Sequence, residues 1–209
     1  MKGLFITMEG GDGAGKSTQI DNVTRFFEEK GLVVVHTREP GGTPIGEKLR
    51  DILLDRENSE MSAVTEMLIY AASRAQHVAE LVKPAIESGK VVICDRFVDS
   101  SVAYQGYGRQ LGDMVAGVNS HATGGLEPDI TFWLDVDPET GRKRAAKTGE
   151  LDRLEVETME FHHRVYDGYK SLAEQNPGRI KRIDATRSVD EMGEEIRGHL
   201  ETLCREKGL

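Results

Sequence analysis

Between Met8 and Thr18 the chain reads MEGGDGAGKST, and Gly10, four residues, then Gly15-Lys16-Ser17 satisfy G-x-x-x-x-G-K-[ST]. Each residue type at that spacing has a task in holding polyphosphate. Gly10, Gly11, Gly13 and Gly15, with the small Ala14, let backbone N–H groups turn inward around phosphate oxygens. Lys16 neutralises the β/γ oxygens and Ser17 offers a hydroxyl to Mg2+. Thr18 follows in the first turn of a helix whose dipole favours anions. The loop predicts an ATP-type triphosphate site, yet it also carries a carboxylate, Asp12. Aimed at phosphate, Asp12 would be repelled by about 4 kcal/mol at 4 Å in an effective dielectric of 20. It is therefore expected to face out of the cradle.

Such a loop serves switches, motors and kinases. The chain has no N-K-x-D guanine motif and no LSGGQ signature, and 209 residues are few for a motor with a separate lever. A kinase needs a second site for an acceptor, and four segments can supply one. TREPGG puts Arg38 after the second apolar run, and DRF puts Asp95 and Arg96 after the third. Strand carboxyl ends are where ligands bind in open α/β sheets. Two arginines converging there suit a phosphate dianion, although either alone reads as a surface ion pair. Asp95 suits a place at Mg2+ together with Ser17. YAASRAQ sets Tyr70 and Arg74 four residues apart on one helix face. There a ring can stack on a base while the guanidinium reads its carbonyl edge; taken alone, the pair is a half-exposed stacking contact. SVAYQGYGRQ adds Ser101, Tyr104 and Gln105.

The elements that must position these groups are legible as five short apolar runs: 4–8, 32–36, 91–94, 130–134 and 180–183. The first, third and fourth are nearly continuous and rich in β-branched residues, as strands buried on both faces should be. A helix is predicted from Gly15 to Lys30, with Ile20, Val23 and Phe27 on one face and Gly31 as its C′ residue. Another is predicted from Ser62 to Ser88, with Val64, Met67, Leu68, Ala71, Val78 and Val82 as its apolar stripe. Asp137 reads as an N-cap with Pro138 at N1, and ATRSVDEMGEEIRGHLETL as a closing helix. Strands alternating with helices predict a three-layer α/β/α fold around a parallel sheet. No linker, repeat or low-complexity tract interrupts the series, so residues 1–209 read as one domain.

Composition bounds the remaining possibilities. A formal net charge of -9 disfavours a general nucleic-acid or anionic-membrane binder. No run is long and apolar enough to span a bilayer, and two cysteines, Cys94 and Cys204, suit a reduced, cytoplasmic protein. The six histidines show no metal-ligand spacing. Glu9, at the end of the first strand, can orient the site or serve structure alone.

EGGDGAGKST, TREPGG, YAASRAQ, DRF followed by SSVAYQG, and GELDRLE occur in the order found in thymidylate kinases, and the resemblance runs along essentially the whole chain. It implies phosphorylation of dTMP to dTDP by ATP with Mg2+, a five-stranded parallel sheet and a homodimer. By that similarity Arg38 and Arg96 hold the dTMP phosphate, Tyr70 stacks on thymine, and Arg74 and Gln105 lie at the base. Ser101 belongs to the same site, Tyr104 crowds the 2′ carbon of the sugar, and Asp12 meets its 3′-hydroxyl. The family's variants without a P-loop arginine carry basic residues in a lid, here about 142–153. Arg142, Arg144, Lys147 and Arg153 are the cations available to the phosphates, with Thr148 where some relatives have arginine. Arg187 resembles the adenine-loop position. Two other readings stay open from the residues: a P-loop nucleoside or nucleotide kinase for another base, and a nucleotide-binding switch.

Overall fold

The computed structural model describes residues 3–146 and 152–209. Five strands, β1 (Leu4–Glu9), β2 (Val34–Arg38), β3 (Val91–Asp95), β4 (Ile130–Asp135) and β5 (Ile180–Asp184), form a parallel sheet in the order β2-β3-β1-β4-β5. All carboxyl ends therefore point one way, and the order reverses at β1, whose following turn is the glycine loop. The helices are α1 (Lys16–Glu29), α2 (Pro44–Leu54), α3 (Ala63–His77), α4 (Lys83–Glu87), α5 (Val98–Ser101) and α6 (Met114–Thr123). After β4 come α7 (Pro138–Ala145) and α8 (Met159–Gln175), and after β5 α9 (Val189–Lys207).

Alternation along β1 divides the core. Leu4, Ile6 and Met8 face one side, where Val23 and Phe27 of α1 and Ile196 and Leu200 of α9 cover them. Phe5 faces the other side and meets Val78, Val82, Ile86 and Phe97. Beyond β4, Trp133 and Ile180 pack with Phe161, Val165 and Tyr169 of α8. No helix among the described residues is long and apolar enough to cross a membrane, and both cysteines are free and buried.

Three sequence expectations are revised. β2 begins at Val34, not at Leu32, because α1 ends in a Schellman motif that consumes the intervening residues. Gly31 adopts φ 75°, its N–H bonds Glu28 O at 2.8 Å, and Leu32 N–H returns to Phe27 O at 3.1 Å. The 62–88 segment is not one α-helix. Pro84 has no N–H to donate, and a π-helical turn, Val78–Val82, precedes it, with Lys83 N–H bonded to Val78 O. The apolar stripe is also split, since Met67, Ala71, Val78 and Val82 are buried whereas Val64 and Leu68 face solvent. The closing helix starts only at Val189, where Ser188 and Glu191 form a capping box.

Candidate active site

The first βα turn is shaped by three glycines at positive φ, Gly10, Gly13 and Gly15, and Lys16 then opens α1. Lys16 folds back over the loop, its Nζ 3.2 Å from the carbonyls of Gly10 and Gly11. Burial, reinforced by the charge of Arg96, lowers its pKa, against the pull of Asp95 and Asp12. Gly13 is required by close approach as well. A Cβ there would stand 2.2 Å from Gly141 O, so the loop tip rests directly on the backbone of α7. Gly141 is the reciprocal contact, with a Cβ position 2.7 Å from Asp12 O.

The Asp12 side chain turns away from the loop interior. Its Oδ1 accepts from Arg96 Nη2 at 2.6 Å and its Oδ2 from the Tyr104 hydroxyl at 3.5 Å. Burial alone would raise its carboxyl, but Arg96 and Lys16 hold it below the ordinary carboxylate range. Arg96 is the first residue after β3 and sits at φ 67°, a left-handed backbone that side chains rarely adopt. Its N–H bonds Met8 O at 2.9 Å, and its guanidinium lies 5.1 Å over the Tyr104 ring, within 3.3 Å of Tyr169 Oη. The sharp turn redirects the arginine from the strand axis toward the glycine loop.

One cleft of about 550 Å3 joins these groups. Lys16, Ser17, Thr18, Asp95 and Arg96 line it together with Tyr70, Arg74 and Gln105. Arg38 and Arg50 flank it, each donating to Pro40 O, and Arg38 also pairs with Glu47 at 2.8 Å. Arg50 escaped the sequence reading, which has no signal separating it from other helix-surface arginines. Ser101 and Tyr104 are buried in the wall. Asp95 ends β3 with a buried Oδ1 that has no hydrogen-bond partner among the described residues. A spare carboxylate oxygen and the Ser17 hydroxyl on one cleft are hard ligands of the kind Mg2+ takes beside phosphate oxygens.

Arg74 is far more embedded than its half-exposed sequence position suggests. Its Nε donates to Glu39 at 2.7 Å, its Nη1 to Ser101 at 2.9 Å and to Asn119, and its Nη2 to Phe97 O at 2.9 Å. A guanidinium has five N–H donors, so one Nη2 hydrogen remains for the cleft. Glu39 is itself held by His77 Nδ1 at 2.8 Å, whose Nε2 meets Thr37 Oγ1 at 2.6 Å. Glu39 and His77 lie on segments 38 residues apart, and their pairing is invisible without the fold.

The four candidate charge donors within 142–153, Arg142, Arg144, Lys147 and Arg153, separate. Arg144 lines the cleft and donates to Ala185 O at 2.9 Å, spanning the loop that follows β5. Arg142 points the other way, to Met159 Sδ at 3.3 Å, in a second cavity lined with Trp133, Tyr166 and His162. Arg153 is buried and bonded to Glu66 at 2.8 Å and to Leu53 O at 2.8 Å, with Nη2 lacking a partner among the described residues. Lys147 lies outside the described residues. Arg187 pairs with Glu195 at 2.7 Å at the surface.

The thymidylate kinase family model matches residues 8–196. The chain is 53% identical over 200 residues to a thymidylate kinase of Halothermothrix orenii, covering 94% of this chain and 95% of that protein. It is 52% identical over 196 residues to one of Lactobacillus delbrueckii subsp. bulgaricus, covering 92% of each. The crystal structure of thymidylate kinase from Ehrlichia chaffeensis superposes with a TM-score of 0.77 at 34% identity, covering 96% of this chain and 99% of that one.

Proposed function

The chain belongs to the thymidylate kinase family and transfers a phosphoryl group from ATP to dTMP, and from that premise we propose which residues carry each part of the reaction. The reading rests above all on one cleft that Lys16, Ser17, Arg96, Tyr70, Arg74 and Gln105 line together. Donor cradle, acceptor arginine and base pocket thereby open on one cavity. The backbone of 10–18 and Lys16 hold the ATP phosphates. Arg96 and Arg38, with Arg50 beside them, hold the phosphate of dTMP. Tyr70 stacks on thymine, Arg74 donates to its carbonyl edge, and Asp12 receives the 3′-hydroxyl. The turn of Asp12 toward Arg96 and Tyr104 supports that last role, because it places the acid on the acceptor side of the loop.

Phosphoryl transfer needs in-line positioning and charge neutralisation, and the acceptor oxygen is already anionic, so no general base is required. Mg2+, when bound by Ser17 and Asp95, supplies charge to the phosphate oxygens. Residues 142–153 act as a lid within a nucleotide-kinase domain spanning the chain. Among its described cations Arg144 is the one facing the cleft, so it takes the role of charge donor to the transferring group, alongside Lys147. Arg142 and Arg187 serve the periphery of the ATP site, and Arg153 stays tied to Glu66.

A homodimer fits the surface. Ile45 and Ile52 on α2, Val64 and Leu68 on α3, and Met114 on α6 are all exposed, and α3 packs between α2 and α6. Exposed apolar side chains on helices that pack against one another favour a second copy. Substrates of nucleotide metabolism and free thiols suit the cytoplasm. A panel of nucleoside monophosphates in an ADP-release assay tests the function: dTMP should dominate. Weak ADP formation indifferent to dTMP would sink it in favour of a switch, and dominance by another base in favour of a different kinase.

A further inference from the structure

Gln105 has an amide that can present either a donor or an acceptor to the cleft, so by itself it does not tell thymine from cytosine. Thymine offers an N3–H donor beside its O4 acceptor, whereas cytosine offers an N3 acceptor beside an N4 donor. A site that reads thymine must face N3 with an acceptor. Behind Gln105, away from the cleft, lies Glu66 of α3, 0% exposed. Its Oε1 is 2.9 Å from Gln105 Nε2 and 3.2 Å from Arg109 Nε. Its Oε2 accepts from Arg109 Nη2 at 2.9 Å and from Arg153 Nη1 at 2.8 Å. Burial alone would raise this carboxyl. The hydrogen bonds from Arg109 and Gln105, with the Arg109 charge, nevertheless leave it below the ordinary range. An ionised carboxylate only accepts.

We propose that Glu66 is a positioning residue for base specificity: as a buried obligate acceptor it pins the amide nitrogen of Gln105 behind the cleft wall and turns the amide oxygen toward the base. Gln105 then meets N3–H with an acceptor while the remaining N–H of Arg74 meets O4 with a donor. This donor–acceptor pair matches thymine or uracil and opposes cytosine at both atoms. Arg109 and Arg153 keep Glu66 charged, and Arg109 is itself steadied by Glu157 at 2.6 Å. The inference rests on the placement of Gln105 at the base proposed above.

The test compares kcat/KM for dTMP with that for 5-methyl-dCMP, which keeps the methyl group and differs only along the N3/C4 edge. In Glu66→Gln the two arginines hold the new amide oxygen, so its NH2 faces Gln105 and the Gln105 amide reverses. The dTMP/5-methyl-dCMP ratio should fall by roughly tenfold or more, the size expected when a buried donor faces a donor, while KM for ATP is unchanged. A merely structural role for Glu66 would lower the thermal midpoint or both turnover rates together and leave the ratio unmoved, which would overturn the proposal. The exchange Glu66→Gln with Gln105→Glu conserves charge and restores an obligate acceptor at the cleft, so the thymine preference should return. It also serves if the single variant does not fold; a ratio as low as in Gln105→Ala would then count against the idea. Gln105→Ala separates the two layers. If it leaves the ratio at the wild-type value, the placement of Gln105 at the base fails. If it lowers the ratio and Glu66→Gln does not, the positioning role fails.

Discussion

Glu9, the last residue of β1, is 0% exposed, and a carboxyl so placed should leave a mark on stability as pH changes. Its Oε1 accepts from Phe97 N–H at 2.8 Å, and its Oε2 from Ser100 at 2.5 Å and Tyr169 at 3.2 Å. Burial, with the charge of Asp99, outweighs these donors and Arg96 and raises its pKa from 4.5 to about 7. Because the folded-state pKa is the higher one, the folded protein holds the proton more tightly than the unfolded chain. The associated stability is complete below pH 4.5 and is lost as pH rises through about 7. A rise of this size, at 1.36 kcal/mol for each pH unit, makes the loss about 3 kcal/mol. Glu9→Gln removes the titration yet keeps the shape. Its oxygen can take the Phe97 N–H, and its NH2 can donate to the Ser100 and Tyr169 hydroxyls, which rotate to accept. Thermal midpoints of both proteins between pH 5 and 8 are the assay. The variant should gain on wild type as pH rises, by roughly 6–12 °C over the full transition for a domain of this size. A gap between the two curves that stays constant from pH 5 to 8 would refute the reasoning, whatever its absolute size.

The lid cations should separate in kinetics: Arg144→Ala should lower kcat on the order of 10³-fold, as loss of an arginine-finger donor does, and Arg142→Ala far less. Comparable losses in both would show that the inward and outward directions of the two side chains carry no functional weight. Tyr104→Ala should admit UMP, reducing the preference for dUMP over UMP by roughly tenfold as an overlap of about 1–3 kcal/mol is relieved; competition assays would reveal an unchanged ratio if the ring does not meet the 2′ position. Asp12→Ala should raise KM for dTMP by roughly 10–100-fold through loss of a charged hydrogen bond and leave ATP binding little changed, and equal effects on both substrates would exclude the 3′-hydroxyl contact. Leu68→Glu puts a charge into the exposed face of α2, α3 and α6 proposed for dimerisation, and light scattering should report a dimer for wild type and a monomer for the variant.

Much of this was legible in order along the chain, and the misses share a cause. Local rules sufficed for the glycine loop, the Asp137 cap, whose carboxyl accepts from Thr140 N–H at 2.8 Å, and the buried strands. Helical periodicity alone placed Val64 and Leu68 in the core, because an apolar stripe looks the same whether it faces the protein's own sheet or another surface. The 62–88 helix was read through Pro84, since a π-helical turn carries no signature in residue type. Arg153 sits among lid cations in the sequence, yet a buried carboxylate on a distant helix holds it.

The amino-acid sequence by itself determined the phosphate loop, the alternation of strands and helices, and the family. These follow from contiguous residues whose spacing is set by backbone geometry, as when G-x-x-x-x-G-K-S closes around an anion. Only the tertiary structure decided which described cation of 142–153 lines the cleft, where the Asp12 carboxylate points, and what stands behind Gln105. Each of those answers depends on partners brought together from segments 39 to 87 residues apart: Glu66 with Gln105 at |i−j| = 39 and with Arg153, and Asp12 with Arg96 at |i−j| = 84. A charged side chain goes where its counter-charge and its hydrogen-bond partners are, and the chain's linear order does not record that address.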